Sequence, residues 1–220
     1  MSVTRWTALA GALAFLPPAA HESLVEKPPM YTIVSGGAVP RASLDTGALV
    51  GYGFDKVVLH QTDGNVDVAW WSAMSMAAVL TALEHLHKSD ARLYMSRFYN
   101  WRRGSWHDAY TQATSFTLKA DAPNDAVELL SQNIFVPLFE KLLADGTLIE
   151  YRVDVEAEHT EASNTFWISF ITPNAEGLDK VNAAIADTFN ANPLVGPTFG
   201  SAVDFPAHRD YLYRTDATYR

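Results

Sequence analysis

The pattern of the 220-residue chain predicts an α+β fold, with two copies of a β-α-β-β-α-β unit in tandem whose sheets close into an α/β barrel within one chain. Three observations predict it. Hydrophobic periodicity switches between two and about 3.6 in the same order in both halves. The segments His60-Gln-Thr-Asp-Gly-Asn65 and His159-Thr-Glu-Ala-Ser-Asn164 fall in the same hairpin of each half, with the same His-to-Asn spacing. Residues 66–71 and 165–172 are apolar on both faces, which a strand covered on both sides requires.

Residues 1–29 stand before the folded part. Arg5, the apolar stretch 6–16 and Pro17-Pro18-Ala19-Ala20 have the outline of a secretory signal, with Pro18 spoiling the cleavage site. The Glu26-Lys-Pro-Pro run within residues 21–29 reads as a linker. The first unit is assigned to residues 30–104. Its elements are a strand at 30–34, a short helix at 41–49, strands at 56–60 and 66–71 across an Asp63-Gly64 turn, a helix and a strand at 92–101. Met76, Val79, Leu80, Leu83 and Leu86 stripe that helix.

The second unit takes residues 105–220. A strand at 110–119 leads to an acidic, proline-bearing helix start at Asp121-Ala-Pro123. Val127, Leu130, Ile134, Leu138 and Leu142 continue the helix to Gly146, and Pro137 inside it predicts a bend or local break. Ile149, Tyr151, Val153, Val155 and Ala157 then alternate with Glu150, Arg152, Asp154, Glu156 and Glu158, so one face is expected buried and the charged face in solvent. A strand at 165–172 and a helix bearing Leu178, Val181, Ile185 and Phe189 follow, and a last strand is placed at 198–203. Each half is thus the ferredoxin-like arrangement. Its sheet carries helices on one face only, and two such sheets packed face to face bury both open faces.

Composition narrows the function classes. Sixteen basic against 25 acidic residues give a formal charge of -9, which repels phosphate backbones, so no nucleic-acid partner is expected. No apolar run approaches the roughly 20 residues of a membrane span. The absence of cysteine excludes disulfides, thiolate chemistry and Cys-based metal sites. No metal site is expected, and there is no phosphate loop, nucleophile elbow, zinc helix or dinucleotide fingerprint. The signal-like start points to a periplasmic or secreted protein, with a cytoplasmic one as the alternative.

The densest aromatic and basic patch is Arg97-Phe-Tyr-Asn-Trp101. Strand alternation puts Arg97, Tyr99 and Trp101 on one face, where with Trp71 (or Trp70) they would make a cavity for a flat, anionic or phenolic ligand. The same residues would otherwise form an aromatic sheet core. His60 and His159 could act as a pair of ligands or acid/base groups, or simply cap hairpin carbonyls. His208-Arg209-Asp210 could open a short terminal helix, with Arg209 able to hold a carboxylate or phenolate, or could form an ion pair seating the tail. His85 and His87 stand about 200° apart on a helix and cannot share a metal.

Residues from about 94 to 220 resemble a family of uncharacterised bacterial proteins of dimeric α/β-barrel type that usually carry a signal peptide. The resemblance rests on Arg97-Phe-Tyr-Asn-Trp101 with Gly104-Ser-Trp106, Asp121-Ala-Pro-Asn-Asp-Ala-Val127, Phe139-Glu-Lys-Leu-Leu-Ala-Asp-Gly146, His159-Thr-Glu161, Ala175-Glu-Gly-Leu-Asp179, Phe199-Gly-Ser201 and His208-Arg-Asp210. It implies the fold and export, and brings no catalytic residues. Three functions follow for testing: binding of a small aromatic or apolar ligand in the barrel pocket without a cofactor; a cofactor-free monooxygenase-like or haem-binding enzyme, by analogy of fold with small monooxygenases and chlorite dismutase-like proteins; and a structural module assembling homo-oligomers. Haem would need His159 or His208 as its axial ligand.

Overall fold

Period-two alternation of small, β-branched and aromatic residues recurs eight times along the chain, and each time it forms a strand. The computed structural model describes residues 27–45, 47–59, 66–158 and 164–220. The first six elements are β1 (Met30–Gly36), α1 (Arg41–Leu44), β2 (Gly51–Leu59), β3 (Val68–Ala73), α2 (Met76–Leu86) and β4 (Ala91–Trp101). The second half contains β5 (Gly104–Thr117), α3 (Ala126–Leu130), α4 (Val136–Ala144), β6 (Glu150–Glu156), β7 (Thr165–Thr172), α5 (Ala175–Ala191), α6 (Val195–Ala202) and β8 (Arg209–Tyr219).

The strands close a barrel in the order β1-β3-β2-β8-β5-β7-β6-β4, with every neighbouring pair antiparallel. Within each half the order is the ferredoxin-like one, β4-β1-β3-β2 and β8-β5-β7-β6, and the β2–β8 and β4–β6 pairs join the halves. Closure leaves no unpaired sheet edge. The helices lie outside. Helices α3 to α6 cover the outer faces of β6 and β7 through Phe139, Phe199, Tyr151, Val153, Phe166 and Phe170, and α2 covers the outer face of the first sheet through Val79, Ile33 and Trp71. No helix among the described residues is long and apolar enough to cross a membrane.

Two elements depart from the sequence reading, and a third breaks beside Pro137 as that proline predicts. Residues 198–203 are not a strand, because Val195, Phe199 and Ala202 repeat at helical spacing and bury one side of α6. Val203 keeps only an isolated bridge to Leu118. The eighth strand is β8 instead, starting where a terminal helix was expected, since Tyr211, Tyr213, Thr215, Ala217 and Tyr219 alternate without interruption. The helix expected from residue 121 divides at a π turn, Ser131–Phe135, where Val136 N–H reaches back to Ser131 O. Pro137 follows directly and supplies no N–H of its own, which is why the regular ladder gives way there. The linker also packs at its end: Lys27 Nζ donates to Tyr99 O at 2.8 Å, and Tyr99 Oη donates to Pro28 O at 2.7 Å.

Candidate functional site in the barrel lumen

Alternation on β6 holds, but its charged face points the other way. Tyr151 and Val153 lie under the helices, so Glu150, Arg152 and Asp154 turn into the barrel and are buried, not solvated. Register sets their neighbours on β7: Glu150 stands opposite Ile171, Arg152 opposite Ser169 and Asp154 opposite Trp167. Asp55 reaches the same lumen from β2, opposite Thr215 of β8.

Two glycines make the lumen possible. A Cβ at Gly53 would stand 2.3 Å from the Trp70 ring, and one at Gly51 would stand 2.5 Å from the Tyr219 ring. With both absent, Trp70 and Tyr219 lie across β2 with centroids 5.5 Å apart. Tyr219 stacks on Trp101 at 6.0 Å, and Trp101 stacks on Tyr99 at 5.6 Å. With Ile149, Ile171, Ala109 and Ala217, these rings fill one end of the barrel.

The other end holds a cavity of about 660 Å³. Its deep wall carries Asp55, Trp70, Arg152 and Asp154, its sides Tyr94, Trp167, Tyr211 and Tyr213, and its rim Val66, Asp90 and Arg92. Trp167 packs edge-on against Tyr94 at 6.3 Å and tilted against Tyr211 at 5.4 Å, giving a continuous aromatic wall.

Arg152 organises the deep wall. Its Nε lies 2.9 Å from Asp154 Oδ2 and 3.8 Å from Glu150 Oε1, and donates to Ser169 Oγ at 3.1 Å, while the guanidinium sits 5.3 Å from the Trp70 ring centroid. Asp154 also accepts from the Ser96 hydroxyl, and from Ser169 Oγ at 3.4 Å. Burial works against the Arg152 charge, but Asp154 and Glu150 outweigh it and hold the side chain protonated. Burial raises Asp154 above the usual carboxylate range against the pull of Arg152. It pushes Asp55 up to about 6 and Glu150 up to about 7, and holds the Tyr219 phenol well above its ordinary value. The Thr215 hydroxyl and Trp70 indole lie beside Asp55 and favour its charged form. Asp55 Oδ1, Trp70 Nε1, Glu150 Oε1, Arg152 Nη1 and Tyr219 Oη find no hydrogen-bond partner among the described residues. Five such atoms around one lumen mark a polar centre that packing alone does not explain.

The residues singled out from the sequence scatter around this centre. Tyr99 and Trp101 face the lumen but belong to its filled end. Arg97 occupies the bulge between Ser96 and Phe98, which breaks the alternation of β4 and leaves Arg97 exposed. Trp71 points outward to α2, donating from Nε1 to Val79 O at 3.1 Å, and its neighbour Trp70 is the lumen residue. His208 stacks on Phe205 and Phe116, with Nδ1 2.6 Å from Phe205 O and Nε2 3.3 Å from Asp210 Oδ2. Arg209 donates to the carbonyls of Ala207 and His208. His60 and His159 lie outside the described residues.

Of the two histidines that could serve as a haem ligand, His159 lies outside the described residues and His208 is held by its neighbours. Both ring nitrogens of His208 are engaged, and the space between the second sheet and its helices is filled by Phe116, Phe135, Phe139 and Phe199. No group of three or more His, Asp or Glu arranged to hold a metal occurs among the described residues.

No family model matches the chain, and no curated protein matches it in sequence. Solved structures match it in shape. A protein from Lactobacillus acidophilus NCFM, provisionally named a monooxygenase, superposes with a TM-score of 0.61 at 9% identity, covering 88% of this chain and 97% of that one. A second provisionally named monooxygenase, from Fusobacterium nucleatum subsp. nucleatum ATCC 25586, gives 0.60 at 6% identity, over 87% and 94% of the two chains. An anthrone oxidase-like protein gives 0.54 at 10% identity, over 88% and 94%. At these identities the likeness is one of fold, and the fold is a closed α+β barrel built from ferredoxin-like units.

Proposed function

We propose that the barrel lumen binds a small organic molecule with a flat, apolar body. The observation that carries this reading is the cavity of about 660 Å³, with aromatic sides and polar groups gathered at its deep wall. Ligand pockets typically occupy about 300–1,000 Å³ and combine apolar walls with a few placed polar groups. Because Trp70 and Trp167 line the cavity, a bound aromatic probe should quench tryptophan fluorescence. Titration with naphthalene-class probes, beside native mass spectrometry of the protein purified from its own host, tests the reading. Saturable quenching that is weakened in Trp167→Ala, or a bound mass, is the expected result. No quenching by any probe together with a clean apoprotein mass would remove the reading.

Cofactor-free oxygenation of the bound molecule is a second reading, favoured by one observation. Asp55 lines the cavity with its carboxyl pushed up to about 6, ionised at neutral pH yet more basic than an ordinary aspartate, as a proton-abstracting group should be. The names of three structural neighbours are consistent with it. Dioxygen is then the co-substrate, and oxygen-electrode measurements with electron-rich hydroxyarenes test it: uptake abolished by Asp55→Asn supports oxygenation, and uptake unchanged in that variant removes Asp55 from the chemistry.

A further inference from the structure

Charge inside the barrel is unbalanced. Among the described residues Asp55, Glu150 and Asp154 face a single guanidinium, Arg152, whose Nε is taken up by Asp154 at 2.9 Å and Glu150 at 3.8 Å while its Nη1 has no hydrogen-bond partner. Asp55 has neither an ion-pair partner nor a hydrogen bond to Oδ1 among the described residues. Asp90 and Arg92 also line the cavity.

The sides of the cavity match that imbalance. Trp70, Tyr94, Trp167, Tyr211 and Tyr213 present aromatic surface to the cavity. Ring faces attract cations through their quadrupoles, more strongly where water is excluded. The lumen already uses this contact once, with the Arg152 guanidinium 5.3 Å from the Trp70 centroid. An anionic ligand would add negative charge beside three carboxyl groups, and a neutral one would leave Asp55 without an ion-pair partner among the described residues.

We propose that the cavity is a receptor for an organic amine in its protonated form, with the ammonium group against Asp55 and the carbon body between the aromatic sides. This rests on the lumen being a binding site, and it adds the charge of the ligand. Among the described residues the charged and titratable groups facing Asp55 across the lumen include Arg152, Glu150 and Asp154 of β6 and Tyr219 of β8. Of these, Arg152 opposes the cation and the carboxylates favour it.

Three probes of one shape separate the outcomes on the full chain: naphthylmethylamine, naphthylmethanol and naphthoic acid, followed by calorimetry or tryptophan quenching at about pH 8. The amine should bind about tenfold or more tighter than the alcohol, and the acid more weakly than either. The preference for the amine should fade as the pH is lowered through about 6, where Asp55 takes up its proton, and should be lost in Asp55→Asn. The wild-type pH series stands on its own if that variant folds poorly. Equal binding of amine and alcohol, tighter binding of the acid, or an amine preference unchanged down to about pH 5 would overturn the inference while leaving the lumen a binding site. Binding of none of the three would overturn both.

Discussion

Asp55 is ionised in a place that disfavours ionisation, and that has a thermodynamic signature. Its folded-state pKa of about 6 lies above the value near 3.8 of an exposed aspartate, so the unfolded chain gives up this proton first as the pH rises. Below about pH 4 both states are protonated and Asp55 is neutral to stability. Between about 4 and 6 the folded state loses ground, and above 6 the penalty is constant, at most roughly 3 kcal/mol for two pKa units. Asp55→Asn should therefore match the wild type near pH 4 and exceed it in melting temperature at pH 8. Arg152→Met should act in the opposite sense, leaving Asp154 and Glu150 buried without their cation, and lose about 3–5 kcal/mol in urea denaturation. At this scale the sequence was only partly legible. Trp70 and Trp71 are adjacent in a strand, so one had to face inward, but which one depends on where α2 packs. Asp55 carries no local signal at all, being one acid among small and aromatic residues whose role comes from register with β8.

The elements explain why the alternation of β6 was read correctly and placed wrongly. Period two says that the two faces differ, and it does not say what each meets. In an open sheet the charged face would be the wet one; in a barrel with helices outside, the apolar face goes to the helices and the charged face goes inward. The closed barrel already inferred from both-sided apolar strands contained that answer. Strand β2 shows a second element-level device, its glycines leaving room for two rings. Gly53→Ala would drive a methyl into Trp70 and should cost about 1–3 kcal/mol, with a changed near-ultraviolet circular dichroism spectrum reporting the displaced indole. The misplacement of the last strand has a different cause. In residues 195–203 a few apolar residues fit either period over so short a length, and the burial of Phe199 among other phenylalanines decides for helix.

For the whole molecule, closure depends on β8, which bridges β2 of the first half and β5 of the second. A chain ending after residue 208 would expose both of those strand edges and open the lumen to water. It should fail to give a cooperative thermal transition and should associate on size-exclusion chromatography, whereas the intact chain should melt as one unit. A barrel drawn from one chain also escapes a rule that two identical chains must obey. In a symmetric pair every inward side chain appears twice, and a lone guanidinium among carboxylates cannot be arranged. Here the strand registers place Asp55 and Asp154 at corresponding points of the two halves, opposite Thr215 and Ser96. Two residues before each, the correspondence breaks: Gly53 stands on one side and Arg152 on the other, with Trp70 beside the glycine and Ser169 beside the arginine. One half supplies the cation and the other supplies the vacant space and the ring over which it lies. The lumen thereby acquires a left and a right, and a molecule held there can be gripped in a single orientation.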